Sequence, residues 1–383
     1  MRFSVDAHAI GRHLTGNEVY VRNLLANFAA LDKSSEFIAY LSVADADGWV
    51  PSRFVRRRIA GNPFVRLGWD LSRKLWKDRP SLIHVQYTAP LGCPVPVVVS
   101  VHDVSFLEHP EYFSAARQKQ LCWTVRRTVR SAARILTGSE FSRESISRAY
   151  GLNGEKVVVV PNAASPIFRP IARETATARV AERFRIAAPF LLNVGDLQPR
   201  KNQIGLIRAF AEMLRARPEL PHHLVLAGKD TWFGGRVRRV ARDSGCGERI
   251  HFIGFVSDED LVDLYNACEV FVFPSFYEGF GLPVLEAMAC GRAVACSSST
   301  ALPEVVDSAA LLFDPSCMRE AVRAMLDLVI DPELRGRMEK IGLHRAAQFS
   351  WRRTAQKTLE VYHQVAADQR AWQRATVAAR ALG

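Results

Sequence analysis

The chain has 383 residues, more than one hydrophobic core usually serves, and its 48% apolar and 23% charged residues exclude disordered and fibrous classes in favour of a globular protein of two domains. Seven cysteines, odd in number and without a CxxC pair, exclude a disulfide framework or zinc site. With no apolar segment behind Arg2 and no 18-residue apolar run, neither export signal nor membrane span is expected, and the chain reads as cytoplasmic. The net charge of +12 is uneven: residues 1–170 hold 23 Lys/Arg against 14 Asp/Glu, and the remainder 28 against 25.

Apolar runs alternate with helical stretches in two blocks, the pattern of doubly wound parallel sheets. Predicted strands of the first block are residues 3–5, 37–41, 82–86, 97–101, 135–137 and 157–160. Those of the second are 190–194, 224–227, 250–253, 270–273, 293–296 and 310–313. The Pro/Ala-rich stretch 163–188 lacks a strong apolar period and reads as a connection. The boundaries expected are a first domain at 1–168, a linker at 169–188, a second domain at 189–349 and closing helices at 350–383. The crevice between two such blocks is the expected ligand site.

The cations between Arg53 and Arg79, with Arg126, Arg127, Arg130 and Arg134 on one predicted helix, make the first domain basic. Such a face suits anionic lipid headgroups, a polyprenyl-diphosphate acceptor or nucleic acid. A membrane-surface acceptor is preferred, and nucleic acid is set aside because no binding motif accompanies the charge. Asp45-Ala46-Asp47 mimics a metal-binding DxD but sits in a predicted loop, so no metal is assigned to it.

His102, at the end of the 97–101 strand, can donate a hydrogen bond or exchange a proton near neutral pH. Arg200 and Lys201 stand between a strand and a helix from about Gln203 to Leu214, where a bidentate guanidinium and a compact ammonium would clamp a diphosphate. After the 270–273 strand, Gly279 and Gly281 permit a tight turn, Pro283 suits a first helical turn and Gly291 a terminator. Backbone N–H groups of Phe280, Gly281 and Leu282 would then face an anion at a helix N-terminus. Glu278 and Glu286, eight positions apart, are expected to accept hydrogen bonds from hydroxyl groups.

The stretch Glu278-Gly279-Phe280-Gly281-Leu282-Pro283-Val284-Leu285-Glu286 resembles the glutamate-x-seven-glutamate signature of retaining GT-B glycosyltransferases of family 4. The resemblance implies two facing Rossmann-like domains and a C-terminal helix crossing back to the first. It implies transfer of a hexose from a nucleotide-diphosphate sugar, with GDP-mannose favoured and UDP- or ADP-sugars as alternatives, to a glycan or lipid-linked hydroxyl, with no further cofactor and no metal. Glu278 would contact the transferred sugar, Glu286 the ribose, and Lys201 with the Phe280–Leu282 amides the diphosphate. Gly195-Asp196 through Asn202 resembles a GTLEPRKN segment in which relatives place an arginine after the glycine, so Arg200 is expected to supply the second cation. Phe252 to Ser257, including Val256, resembles a strand end whose backbone meets the nucleobase. Thr15-Gly16-Asn17-Glu18-Val19-Tyr20 resembles a TGIGRY loop near donor phosphate and acceptor, with Glu18 and Val19 departing from it. Val101-His102-Asp103 resembles an HD segment beside sugar and acceptor, with Asp103 orienting the histidine or the acceptor. The same resemblance points to cell-surface polysaccharide or glycolipid synthesis at the inner face of a membrane. The alternatives are a nucleotide-sugar epimerase of similar fold and a nucleotide-sugar-binding protein without turnover.

Overall fold

A run such as Val-Phe-Val-Phe at 270–273 buries every side chain, which requires cover on both faces of its sheet. The computed structural model, which describes residues 1–12 and 15–382, supplies that cover with two sheets, every strand pair parallel. The chain forms two units, residues 1–162 with 350–383, and residues 163–349.

The first unit holds seven strands: β1 (Arg2–Asp6), β2 (Glu36–Leu41), β3 (Val55–Arg58), β4 (Leu82–Gln86), β5 (Val97–Ser100), β6 (Arg134–Thr137) and β7 (Val157–Val159), ordered 3-2-1-4-5-6-7. In register, Phe3 of β1 lies between Phe37 and Leu82. The closing helix Trp351–Leu382 packs along the helix Thr15–Leu31 of the same unit. Tyr362 anchors it, with its ring 5.3 Å from Phe3 and 5.5 Å from Phe28. Its hydroxyl meets His84 Nδ1 at 2.6 Å, His84 Nε2 meets Ser100 Oγ at 2.7 Å, and Tyr20 completes the buried chain at 2.8 Å from Ser100. Burial holds the His84 imidazole neutral, with its pKa pushed down to about 3.

The second unit holds β8 (Phe190–Val194), β9 (His223–Ala227), β10 (Ile250–Gly254), β11 (Val270–Phe273), β12 (Ala293–Ser297) and β13 (Leu311–Phe313), ordered 10-9-8-11-12-13. Strands β8 and β11 are neighbours although 75 or more residues separate them, so the loops leaving their carboxyl ends meet.

Two departures from the sequence reading have physical causes. Residues 173–184, read as connection, form the helix Arg173–Phe184, which buries Ala176 and Val180 against the helix Asp258–Ala267 of the second unit. An alanine-based stripe buries too little area to show as an apolar period. The second is β3, whose Arg56, Arg57 and Arg58 are exposed on the edge of the sheet, where no apolar run is needed. Asp45 and Asp47 lie in the 3-10 turn Ala44–Trp49, and Asp47 pairs with Arg58.

Truncating Tyr362 to Ala removes a buried aromatic and the partner of His84 Nδ1, so urea unfolding should show a loss of about 3–5 kcal/mol. Tyr362→Phe, which removes only the hydroxyl, should cost about 1–3 kcal/mol.

Candidate functional site

Strand β11 ends at Pro274, and the chain crosses to the helix Leu282–Ala289 through a turn that only glycine can make. Gly281 has φ +102°, and a Cβ there would lie 2.5 Å from the Leu302 side chain. Pro283 occupies the first turn, among the described residues no side chain caps the helix, and the Val284 N–H donates to the Gly281 carbonyl at 3.0 Å. The helix stops at Ala289, and Gly291 turns left-handed with φ +71°.

The loop after β8 closes on the same turn. Gly195 and Gly228 sit so tightly that a Cβ on Gly228 would fall 2.2 Å from the Gly195 carbonyl oxygen. Pro199–Lys201 form a 3-10 turn, and Asn202, left-handed at φ +53°, accepts from the Gly205 N–H to start the helix Gln203–Ala216. The Phe276 N–H donates to the Arg200 carbonyl at 2.8 Å, joining the two loops.

Both cations converge on Glu278. Lys201 Nζ lies 2.6 Å from Oε1 and Arg200 Nη1 lies 3.0 Å from Oε2, with Arg200 also donating to the Tyr277 carbonyl at 3.1 Å. Burial by itself would raise the Glu278 pKa, but Lys201 and Arg200 outweigh it and hold the carboxyl at about 2. Burial lowers the Lys201 pKa from its ordinary value against the pull of Glu278. Thr300 accepts from the Glu278 N–H at 3.0 Å and holds the backbone in place. Glu278 and Lys201 are 7% and 9% exposed, so the charges are almost fully withdrawn from water.

Glu286 faces the other way inside its helix and accepts from the Tyr265 hydroxyl at 3.0 Å. Burial pushes its pKa up to about 7, reinforced by Asp258 and opposed by the Tyr265 hydrogen bond. Phe280 packs edge-on to Phe349 at 5.9 Å. Val256 is buried between Gly254, at φ +73°, and Ser257, which caps the helix Asp258–Ala267. Gly195, Arg200, Lys201, Val256, Glu278, Phe280, Gly281, Leu282 and Glu286 thus belong to the second unit. Tyr265 and Thr300 escaped the sequence reading, since a tyrosine in a helix and a threonine in a serine-rich turn carry no signal of their partners.

Gly16, His102 and Asp103 belong to the first unit. The Tyr20 and Tyr87 rings lie edge-on at 4.9 and 5.7 Å from His102, whose buried Nε2 has no hydrogen-bond partner among the described residues. Burial pushes its pKa down to about 4, against the pull of Asp103, so the ring is neutral at pH 7. Asp103 Oδ1 accepts from the Ser105 N–H at 2.9 Å and the Ser105 hydroxyl at 2.6 Å, so it anchors the following turn. Gly16, expected in a loop, lies in the first turn of the helix Thr15–Leu31 with open space where a Cβ would stand. Among the described residues no three His, Cys, Asp or Glu side chains converge as a metal site.

Comparison with known proteins matches residues 176–345 to the family described as glycosyl transferases group 1, and residues 14–166 to glycosyltransferase family 4. O-antigen chain mannosyltransferase B of Escherichia coli is 35% identical over 267 residues, 69% of each chain. Serotype-specific mannosyltransferase WbdA of Escherichia coli is 37% identical over 181 residues, 47% of this chain but 22% of that longer one. Among solved structures, Anabaena HepE in complex with UDP and glucose is alike in fold, with a TM-score of 0.76 at 18% identity over 95% of this chain and 100% of that one.

Glu278→Gln removes the carboxylate that Lys201 and Arg200 share, and should lower stability by about 3–5 kcal/mol in the absence of anions. Inorganic pyrophosphate should recover stability in the variant, by about 2.7 kcal/mol at a hundredfold excess over its Kd, read as a shift of the denaturation midpoint.

Proposed function

This chain belongs to the group 1 glycosyl transferases and has their GT-B fold, and from that premise we propose that it moves a hexose, mannose first, from a nucleotide-diphosphate sugar to a hydroxyl of a glycan or lipid-linked acceptor in surface-polysaccharide synthesis. The observation that carries the reading is the convergence of Lys201 and Arg200 on Glu278 beside the uncapped helix start at Leu282. A diphosphate brings more negative charge to these cations than one carboxylate does, and the Phe280, Gly281 and Leu282 amides add donors that Glu278 does not use. The diphosphate takes over the cations, and Glu278, released, accepts hydrogen bonds from hydroxyls of the transferred sugar. Glu286 accepts from the ribose, and the backbone at Val256 meets the base. Gly195, without a side chain, leaves room beside the diphosphate, and the role carried by Gly16 is close approach to its phosphate.

The leaving diphosphate is stabilised where charge develops, the largest catalytic contribution such a site makes. The acceptor hydroxyl attacks from the face the diphosphate leaves, so configuration is retained, and no metal is needed where two cations stand. His102, neutral and with an open Nε2, accepts or relays the proton of the acceptor hydroxyl. GDP-mannose is the favoured donor, following the mannosyltransferase relatives. The cytoplasm is the proposed place of action.

Glu286 supplies the test. Its carboxyl, with a pKa of about 7, is protonated below neutrality and ionised above, and the ionised form accepts both ribose hydroxyls. Calorimetric affinity for GDP-mannose should therefore rise about tenfold from pH 6 to pH 8, as a single ionisation dictates. Glu286→Ala should abolish that rise and lose about 1–3 kcal/mol of donor affinity at pH 8; unchanged affinity would refute the ribose assignment. His102→Ala should bind donor normally and lose about 100-fold or more in turnover. Glycosylated acceptor, with its anomeric configuration read by NMR, separates transfer from epimerisation or from binding alone.

A further inference from the structure

Helices on the surface of a globular unit usually keep large apolar side chains inward, and the helical run from Pro63 to Asp78 in the first unit turns three aromatic rings outward among its cations. Leu71 and Leu75 point inward with Asp70 and Asp78, all buried. Asp70 accepts from Lys74 and the Ala60 N–H, and Asp78 from the Tyr40 hydroxyl and Arg57. The outward side carries Trp69 and Trp76, seven residues apart and 56% and 68% exposed, with Phe64 79% exposed at its start. The arginines that follow them are stacked on them: the Arg73 guanidinium lies 5.2 Å from the Trp69 ring centre and that of Arg79 5.8 Å from Trp76. Both acids of the run face inward, so the charge it presents to solvent is positive.

A second helix, Ala115–Ser131, repeats the arrangement with Trp123, 62% exposed and 5.8 Å beneath Arg127, and its sequence contains no acidic residue. One loop binds the two helices. The Leu91 N–H donates to the Leu67 carbonyl at 2.7 Å and Ser72 donates to the Leu91 carbonyl at 2.5 Å. Thr88 meets Thr124 at 3.2 Å, the Ala89 N–H donates to Thr128 at 2.9 Å, and Arg127 donates to the Pro90 carbonyl at 3.3 Å. Ser72 stands between the two exposed tryptophans of the first helix, and Thr124 is next to Trp123. The indoles are therefore parts of one continuous surface that continues through the exposed Leu91.

We propose that this surface of the first unit lies on an anionic lipid bilayer, with the three indoles at headgroup depth and the surrounding arginines and lysines on lipid phosphates. Indole rings with cations beside them match the composition of a membrane interface, where the ring has an apolar body for the acyl boundary and the cation meets the negative leaflet. No helix among the described residues is long and apolar enough to cross a membrane. A neutral glycan strand stacking on the tryptophans would gain nothing from so many uncompensated cations, which is why lipid is the occupant argued for. The proposal stands on the first unit alone and does not depend on the donor-site reading.

The test is co-sedimentation of the full chain with phosphatidylcholine vesicles, with and without phosphatidylglycerol, and tryptophan fluorescence with brominated lipid as depth probe. The wild type should partition onto the anionic vesicles only, with a blue shift and quenching. Arg73→Gln, Lys77→Gln and Arg79→Gln combined should weaken partition about a hundredfold, the effect of three surface charges near an anionic leaflet. Trp69→Ser, Trp76→Ser and Trp123→Ser combined should abolish the quenching, and thermal unfolding should show both variants folded. Equal partition onto neutral vesicles, no partition of the wild type, an unaltered tryptophan variant, or indole quenching by soluble mannan and not by vesicles would each overturn the proposal.

Discussion

Everything at the candidate site depends on a charge balance withdrawn from water. Lys201 cannot sit so deep without a counter-ion, and Glu278 supplies it from a loop 77 residues away, held there because β8 and β11 are neighbours, with the half-buried Arg200 on its other oxygen. Removing one partner of such a group leaves a buried charge, which costs far more than the intact arrangement contributes. The same economy makes the site exchangeable. A ligand with more negative charge can take the two cations while Glu278 turns to hydroxyl donors, and the cations are pre-positioned at no further cost in order. The carboxylate thus acts as a placeholder for the diphosphate in the proposed reaction.

The two glutamates of the signature differ in environment and therefore in state. Glu278, between cations, is ionised far into acid, whereas burial, with Asp258 adding to it against the Tyr265 hydrogen bond, pushes the Glu286 pKa up to about 7. One is a fixed charge and the other responds to pH, although they are eight residues apart on one short turn and helix. His102 adds a third case, a neutral ring held by aromatic neighbours with one nitrogen unsatisfied among the described residues. An orphaned buried nitrogen is costly unless a ligand completes it, and that favours a functional over a packing role.

Much of this was legible in the residues, for reasons that can be named. Interior parallel strands show as largely apolar runs because both faces are covered, so β5, β8 and β11 were readable within a residue or so. The turn at Gly281 was readable because only glycine meets both its angle and its contact with Leu302. The edge strand at Arg56–Arg58 and the alanine stripe at Ala176 and Val180 were not, since neither buries enough apolar area to impose a period. Nor was the capture of Lys201 and Arg200 by Glu278, or of Tyr265 by Glu286. Those pairings are properties of strand order, which brings distant loops together and leaves no trace in local spacing.

The most direct measurement is a structure of the protein with a nucleoside diphosphate bound, read for the position of Lys201 Nζ. The account predicts that Nζ leaves its place 2.6 Å from Glu278 Oε1 for hydrogen-bond distance of a phosphate oxygen, with the Glu278 carboxylate turned away from both cations. A diphosphate bound elsewhere, with the Lys201–Glu278 contact intact, would contradict it.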